Sequence, residues 1–213
     1  MSTARQKVSN PVCSATMNEQ TIYPSRRSKQ THDAILSATL ELVNEKGYFG
    51  LSLEAVAARA GAGKQTIYRW WPSKAALVME ALSQAATREV ALPDTGRVEQ
   101  DLFLFLEAIF TRISSSGSGK AMGGLVAEAQ ADPIFAEAFR SGFVEARREG
   151  LRTLLRRGME RGEVNSDIDL ELAVDTLFGP MWYRLLLLHA PLDGPFARDL
   201  VRQFMTGNAL HRG

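Results

Sequence analysis

A short stretch of this 213-residue chain, Lys64 to Trp71 (KQTIYRWW), carries hydrogen-bonding chemistry of a specific kind. Wound as a helix, it places Lys64, Gln65, Tyr68 and Arg69 on one face, while Ile67 and Trp71, four residues apart, fall on the other. Lys and Arg donate to guanine O6 and N7, Gln pairs with adenine N6 and N7, and the major groove of duplex DNA admits a helix that presents them. Lys64, Gln65 and Arg69 are therefore expected to read bases. Ser52, Thr66, Tyr68, Trp70 and Lys74 are expected mainly to fix register through phosphate, with Tyr68 suited to either task. Ile67 and Trp71 are assigned to packing.

Two flanking elements must hold this face. Ser52 is a good N-cap, with Glu54 adding negative charge near the positive helix end. Leu53, Val56, Ala57 and Ala60 then make a narrow apolar stripe on a helix of about nine residues, too short to stand alone. Gly61 stands where a sharp reversal calls for positive φ, and Gly63 can cap the next helix. Two helices joined by a short Gly-containing turn make a helix-turn-helix. Pro72 stops the second, Ser73 caps a further helix, and Lys74 sits in its first turn beside backbone N–H groups that attract phosphate.

Gly47-Tyr48 and the run AVAARAGAGKQTIYRWWPSKAAL, Ala55 to Leu77, resemble the N-terminal domain of TetR-family transcriptional regulators. The match spans roughly residues 31 to 82, a domain-sized block. The resemblance implies a three-helix DNA-binding domain, a dimer, an all-helical ligand-binding C-terminal domain, and release from DNA on ligand binding. Two positions depart from the family pattern. Trp70-Trp71 stands where His or Tyr followed by Phe is usual, and Ala75 replaces a common acidic residue. Neither alters the expected fold.

The chain holds 25 basic and 24 acidic residues, so only their distribution is informative. Residues 1–92 carry 11 Lys or Arg against 7 Asp or Glu, and residues 93–213 carry 14 against 17. The positive end is the proposed DNA end, a modest electrostatic preference. A single cysteine, Cys13, precludes an internal disulfide, and no apolar run reaches the roughly 18 residues of a membrane span. A cytoplasmic protein is expected. HExxH, GxSxG and a complete phosphate loop are absent, and the imidazoles are limited to His32, His189 and His211. No catalytic residue, metal site or cofactor is assigned, and an enzyme is the weakest reading.

The expected fold is all-α. A flexible extension, residues 1–25, precedes a helix-turn-helix domain, 26–92, and a C-terminal ligand-binding and dimerisation domain, 93–213. Arg26, Arg27 and Lys29 make a basic leader that suits either a phosphate-tracking arm or plain solvation. Helix one is expected over about 31–46 with Gly47 as its stop, and helix four over about 73–91. Leu102, Leu106, Ile109 and Ile113 mark helix five. Ser114 to Lys120 reads as a flexible connector, Met122 to Ala129 as a short helix, and Asp132-Pro133 as the start of a long one. Arg147, Arg148, Arg152, Arg156, Arg157 and Arg161 interleave with glutamates there, as on a salt-bridged solvent face.

Leu170, Ala173, Leu177, Met181, Leu185 and Leu188 form a seam on the penultimate helix, where Gly179-Pro180 should introduce a kink. Residues 169–189 also resemble the penultimate helix of one TetR C-terminal subgroup. With the stripe Phe196, Leu200, Phe204 and Met205 of the last helix, that seam suits either a four-helix homodimer interface or internal core. Phe103, Phe110, Met122, Phe139, Phe143, Phe178, Met181 and Trp182 are the residues expected to line a pocket for a small hydrophobic effector. The expected partners are a palindromic double-stranded operator, a second copy and that effector, with no membrane. The expected function is a repressor that such an effector releases from its operator, with a transcriptional activator or a ligand-binding adaptor of the same fold as the alternative.

Overall fold

The computed structural model of the chain describes residues 26–87, 92–115 and 118–209. The proposed extension with Cys13 and the expected end of helix four at Ala91 lie outside the described residues. Ten α-helices follow in order: α1 (Arg26–Gly50), α2 (Leu53–Ala60), α3 (Lys64–Trp70), α4 (Lys74–Thr87), α5 (Val98–Ser115), α6 (Ser118–Ala131), α7 (Pro133–Ala138), α8 (Glu145–Glu160), α9 (Leu170–Leu187) and α10 (Gly194–Asn208). A π-helical turn, Phe139–Val144, joins α7 to α8. Among the described residues the only β pairing is an isolated bridge between Val164 and Ala209. Among the described residues no helix is long and apolar enough to cross a membrane.

The N-terminal helices are built as their residues dictate. Ile35, Leu36, Ala38, Leu42 and Val43 are buried on α1, in one core with Val56 of α2, Ile67 of α3 and Leu77 and Val78 of α4. α1 starts at Arg26, five residues earlier than expected. Its regular winding breaks at Gly47, whose φ of 69° is open to glycine at little cost. Arg59 of α2 ties back to Glu45 of α1 at 2.5 Å.

The C-terminal helices pack around α5, whose Leu102, Phe103, Phe105, Leu106, Ile109, Phe110 and Ile113 are all buried. Glu163, in the turn after α8, accepts the Val98 N–H at 2.6 Å and so caps α5 from another element. Asp132 caps α7 with Pro133 in its first turn, Asp169 caps α9 and Asp193 caps α10. One expectation needs correction, and one left open is resolved. The stretch Ser114 to Lys120 is largely the end of α5 and the start of α6, and α6 is longer than Met122 to Ala129. The seam on α9 is internal: Ala173, Leu177, Met181 and Leu185 are buried within the chain, and Leu188 is exposed. The face of α9 left bare carries Leu172, Tyr183, Leu186 and Leu187 instead.

Candidate nucleic-acid interface and effector cavity

The turn before α3 fixes the angle at which that helix leaves the domain. Ser52 Oγ accepts the Ala55 N–H at 3.2 Å and starts α2. At its other end Gly61 takes φ 61°, the Ala62 N–H reaches the Ala57 carbonyl at 2.9 Å, and the Gly61 N–H reaches that of Ala58 at 3.4 Å. This crossed pair is a Schellman cap, which satisfies carbonyls that a helix end leaves orphaned. Gly63 then enters α3 in an extended conformation, and the Thr66 N–H bonds its carbonyl at 2.9 Å.

α3 is seated by Ile67, which is fully buried, and by Trp71 just past its end, which is 2% exposed. The Trp71 indole donates to Glu80 Oε2 of α4 at 2.7 Å and stacks on His32 of α1 at 4.8 Å. His32 Nε2 lies 3.1 Å from Glu80 Oε1, so His32 has a structural place between α1 and α4.

The opposite face is exposed. Lys64, Gln65, Tyr68 and Arg69 point to solvent, and Thr66 and Trp70 are half-buried beside them. Lys64 pairs with Glu54 of α2. That hydrogen bond holds the Glu54 carboxyl below its ordinary range and raises the Lys64 ammonium. Because the pair is exposed, water screens it and an incoming phosphate or base can compete for the amine. The Arg69 guanidinium lies 5.2 Å from the Trp70 ring, which braces it without burying its donors.

Lys74 has an internal task as well. Its ammonium donates to the Tyr48 carbonyl at 3.2 Å and the Leu51 carbonyl at 3.5 Å, and sits 4.3 Å from the Tyr48 ring. It therefore clamps the turn between α1 and α2, a role hidden by its position beside the α4 N-terminus.

The C-terminal half holds a cavity of about 400 Å³, bounded by Ser83 of α4, Phe105, Ile109 and Arg112 of α5, Gly142 of the π turn and Arg147 of α8. Two smaller spaces adjoin Arg147. One, of about 40 Å³, touches Met122, Phe143, Phe178 and Met181; another, of about 170 Å³, touches Phe178, Met181 and Trp182. Five of the eight expected pocket residues thus border the small spaces. Phe103, Phe110 and Phe139 border none of the three. Phe110 stacks on Phe196 of α10 at 5.5 Å, Phe103 lies 4.1 Å beneath the Arg198 guanidinium, and Phe139 stacks on Phe143 at 5.2 Å. α5 is apolar over most of its circumference, so its pattern did not say which aromatic faces which neighbour.

Arg147 is the larger correction. Its Nη1 donates to the Phe143 carbonyl at 2.6 Å and its guanidinium lies 3.4 Å from the Phe143 ring. Burial, with the Arg112 charge adding to it, pulls Arg147 down to about 10. The other arginines of this helix do pair. Arg148 reaches Glu171 at 2.7 Å and also Asp175, while buried Arg152 meets Glu145 at 2.5 Å, Glu171 at 2.6 Å and Glu149 at 3.2 Å. A signal for the cavity did exist in the sequence: Gly142, Ala146 and Gly150, four residues apart, leave one helix side without bulk, and all three line it.

A donor-bearing helix seated on a three-helix domain, with α4 leading to a helical domain, defines a helix-turn-helix DNA-binding protein. Residues 35–81 match the tetR family of bacterial regulatory proteins, and residues 92–204 match the tetracyclin repressor-like C-terminal domain. The chain belongs to the TetR family of transcriptional regulators, and its relatives are regulators, not enzymes. It is 35% identical to the HTH-type transcriptional regulator YdeS of Bacillus subtilis, over 85% of this chain and 91% of that one. It is 30% identical to the DNA-binding transcriptional repressor TetR of Mycobacteroides abscessus, over 82% and 92%. The crystal structure of the TetR family transcription regulator SCO0332 superposes with a TM-score of 0.73 at 34% identity, covering 84% of this chain and 98% of that one.

Proposed function

We propose that the protein is a repressor that binds a palindromic operator as a homodimer and leaves it when a small hydrophobic effector enters the C-terminal domain. The observation that carries the reading is the polarity of α3: Ile67 and Trp71 locked inward, Lys64, Gln65 and Arg69 outward. In this reading residues 26–92 form the DNA-binding domain and 93–213 the effector and dimer domain. The bare α9 face of Leu172, Tyr183, Leu186 and Leu187 supports pairing with the same face of a second copy. Two reading helices then enter successive major grooves roughly 34 to 36 Å apart. Ser83 of α4 borders the cavity, so a ligand that favours one placement of α4 over another changes the spacing between reading helices.

Selection from a random duplex pool tests the reading. Enrichment of an inverted repeat that full-length protein shifts as a dimer, with loss of that shift in the presence of an effector, supports it. Failure to retain any duplex at low salt rejects it. An activator with the same binding would be separated by a promoter assay in which binding raises transcription.

A further inference from the structure

We infer that the cavity under α4 takes an anionic amphiphile, with a carboxylate or phosphate head between Arg112 and Arg147 and an apolar body along Phe105 and Ile109. The inference rests on the proposal that this domain takes an effector, and it names the effector's chemical class.

Two guanidiniums of like charge border one cavity whose other walls include Phe105, Ile109 and Leu92. Withdrawing the Arg147 cation from water is costly, and the Arg112 charge alongside adds repulsion to it. Among the described residues Arg147 is paired with no carboxylate; its acceptor is the neutral Phe143 carbonyl. The contrast lies in the same helix. Arg148, one residue on, and Arg152 and Arg156, one and two turns beyond, are all paired with acids. Glu149 also borders the cavity, but its carboxylate is engaged by Arg156 at 2.8 Å and Arg152 at 3.2 Å. Arg147 further lines all three spaces of this region.

Room for the ligand is present too. A side chain added at Gly142 would meet nothing within 4 Å, whereas one at Gly150 would strike Phe105 at 2.7 Å. The first glycine keeps the cavity open and the second lets its aromatic wall close in. The volume of about 400 Å³ lies in the range of small-molecule pockets. A cation would add a third like charge, and a neutral amphiphile would leave Arg147 with no counter-charge among the described residues.

The test is calorimetric titration of the full chain, below micelle formation, with octanoate, octyl phosphate, octan-1-ol and octyltrimethylammonium. At least one of the two anions should bind about tenfold or more tighter than the alcohol, and the two anion arms tell a carboxylate head from a phosphate one. The ammonium compound should not bind. Arg147→Met should weaken the anion about tenfold or more, Arg147→Lys should restore part of it, and Gly142→Leu, which fills open space, should abolish it. Equal or tighter binding of the alcohol, binding of the cation, no binding of either anion, or an unchanged anion affinity in Arg147→Met overturns the inference. Operator release is measured separately. An anion that binds through Arg147 without releasing DNA defeats the induction mechanism alone, and release by a neutral or cationic compound defeats the anionic class alone.

Discussion

The Tyr48 hydroxyl donates to Glu128 Oε2 at 2.9 Å, joining the end of α1 to α6 across 80 residues of sequence. The same ring lies on Gly124, where an added Cβ would fall 2.4 Å from its carbons, and Lys74 of α4 sits against it at 4.3 Å. Burial and the Glu128 carboxylate raise the Tyr48 phenol above its ordinary range, so the hydroxyl keeps its proton and remains a donor. Tyr48 thus connects three helices at the junction of the DNA-reading half with the cavity-bearing half.

Tyr48→Phe removes one partly buried hydrogen bond and leaves the packing, so it should cost about 1 kcal/mol of stability. Gly124→Ala forces the ring aside and should cost about 1 to 3 kcal/mol. Urea unfolding checks both. Wild-type midpoints in the two variants would mean the junction is slack.

Arg69→Ala should relax base preference at one operator position, at a cost of roughly 1 to 3 kcal/mol. Glu54→Gln should do the opposite for affinity, because the carboxylate that occupies Lys64 in the free protein is gone. A gain of a few fold at low salt is expected. Binding of an operator library read out by sequencing measures preference and affinity together.

For Lys74→Ala the expected loss is double. Two backbone carbonyls lose their donor, which should lower stability by about 1 kcal/mol, and every DNA sequence should be bound more weakly alike. If the ammonium also meets a phosphate, the salt slope falls by about one unit. Thermal melts and titrations at several salt concentrations separate the two. Unchanged melting and binding would remove Lys74 from both roles.

Acid should loosen α9 from α8. Arg152, and after it Arg148, hold the Glu171 carboxyl down to about 2, against an ordinary 4.5. A depressed carboxyl stabilises the fold above its ordinary pKa, and that contribution is lost as pH falls toward 2. The difference in melting temperature between wild type and Glu171→Gln should therefore be full above about pH 5 and close as pH approaches 2. A difference that stayed constant with pH would dismiss the pairing as a source of stability.

Leu186→Asp places a charge on the bare face of α9 without touching the core. The expected result is a halved mass in light scattering after gel filtration and loss of the cooperative operator shift. A variant that kept the wild-type mass would move the proposed interface elsewhere.

What the sequence determined by itself is local. Caps at Ser52, Gly61 and Asp132 depend on backbone groups within a few residues, and the period that turns Ile67 and Trp71 away from Lys64 and Arg69 is a property of the helix alone. Those parts were legible in the residues. What only tertiary structure decided is which neighbour each face meets. Arg147 and Arg148 are adjacent and alike in type, yet one borders the cavity and the other pairs with α9, because the helix wall that faces α5 is set by packing. The α9 seam went to the core and its flank to the surface for the same reason. Periodicity reports how wide an apolar face is, while the identity of its partner is settled only when the helices assemble.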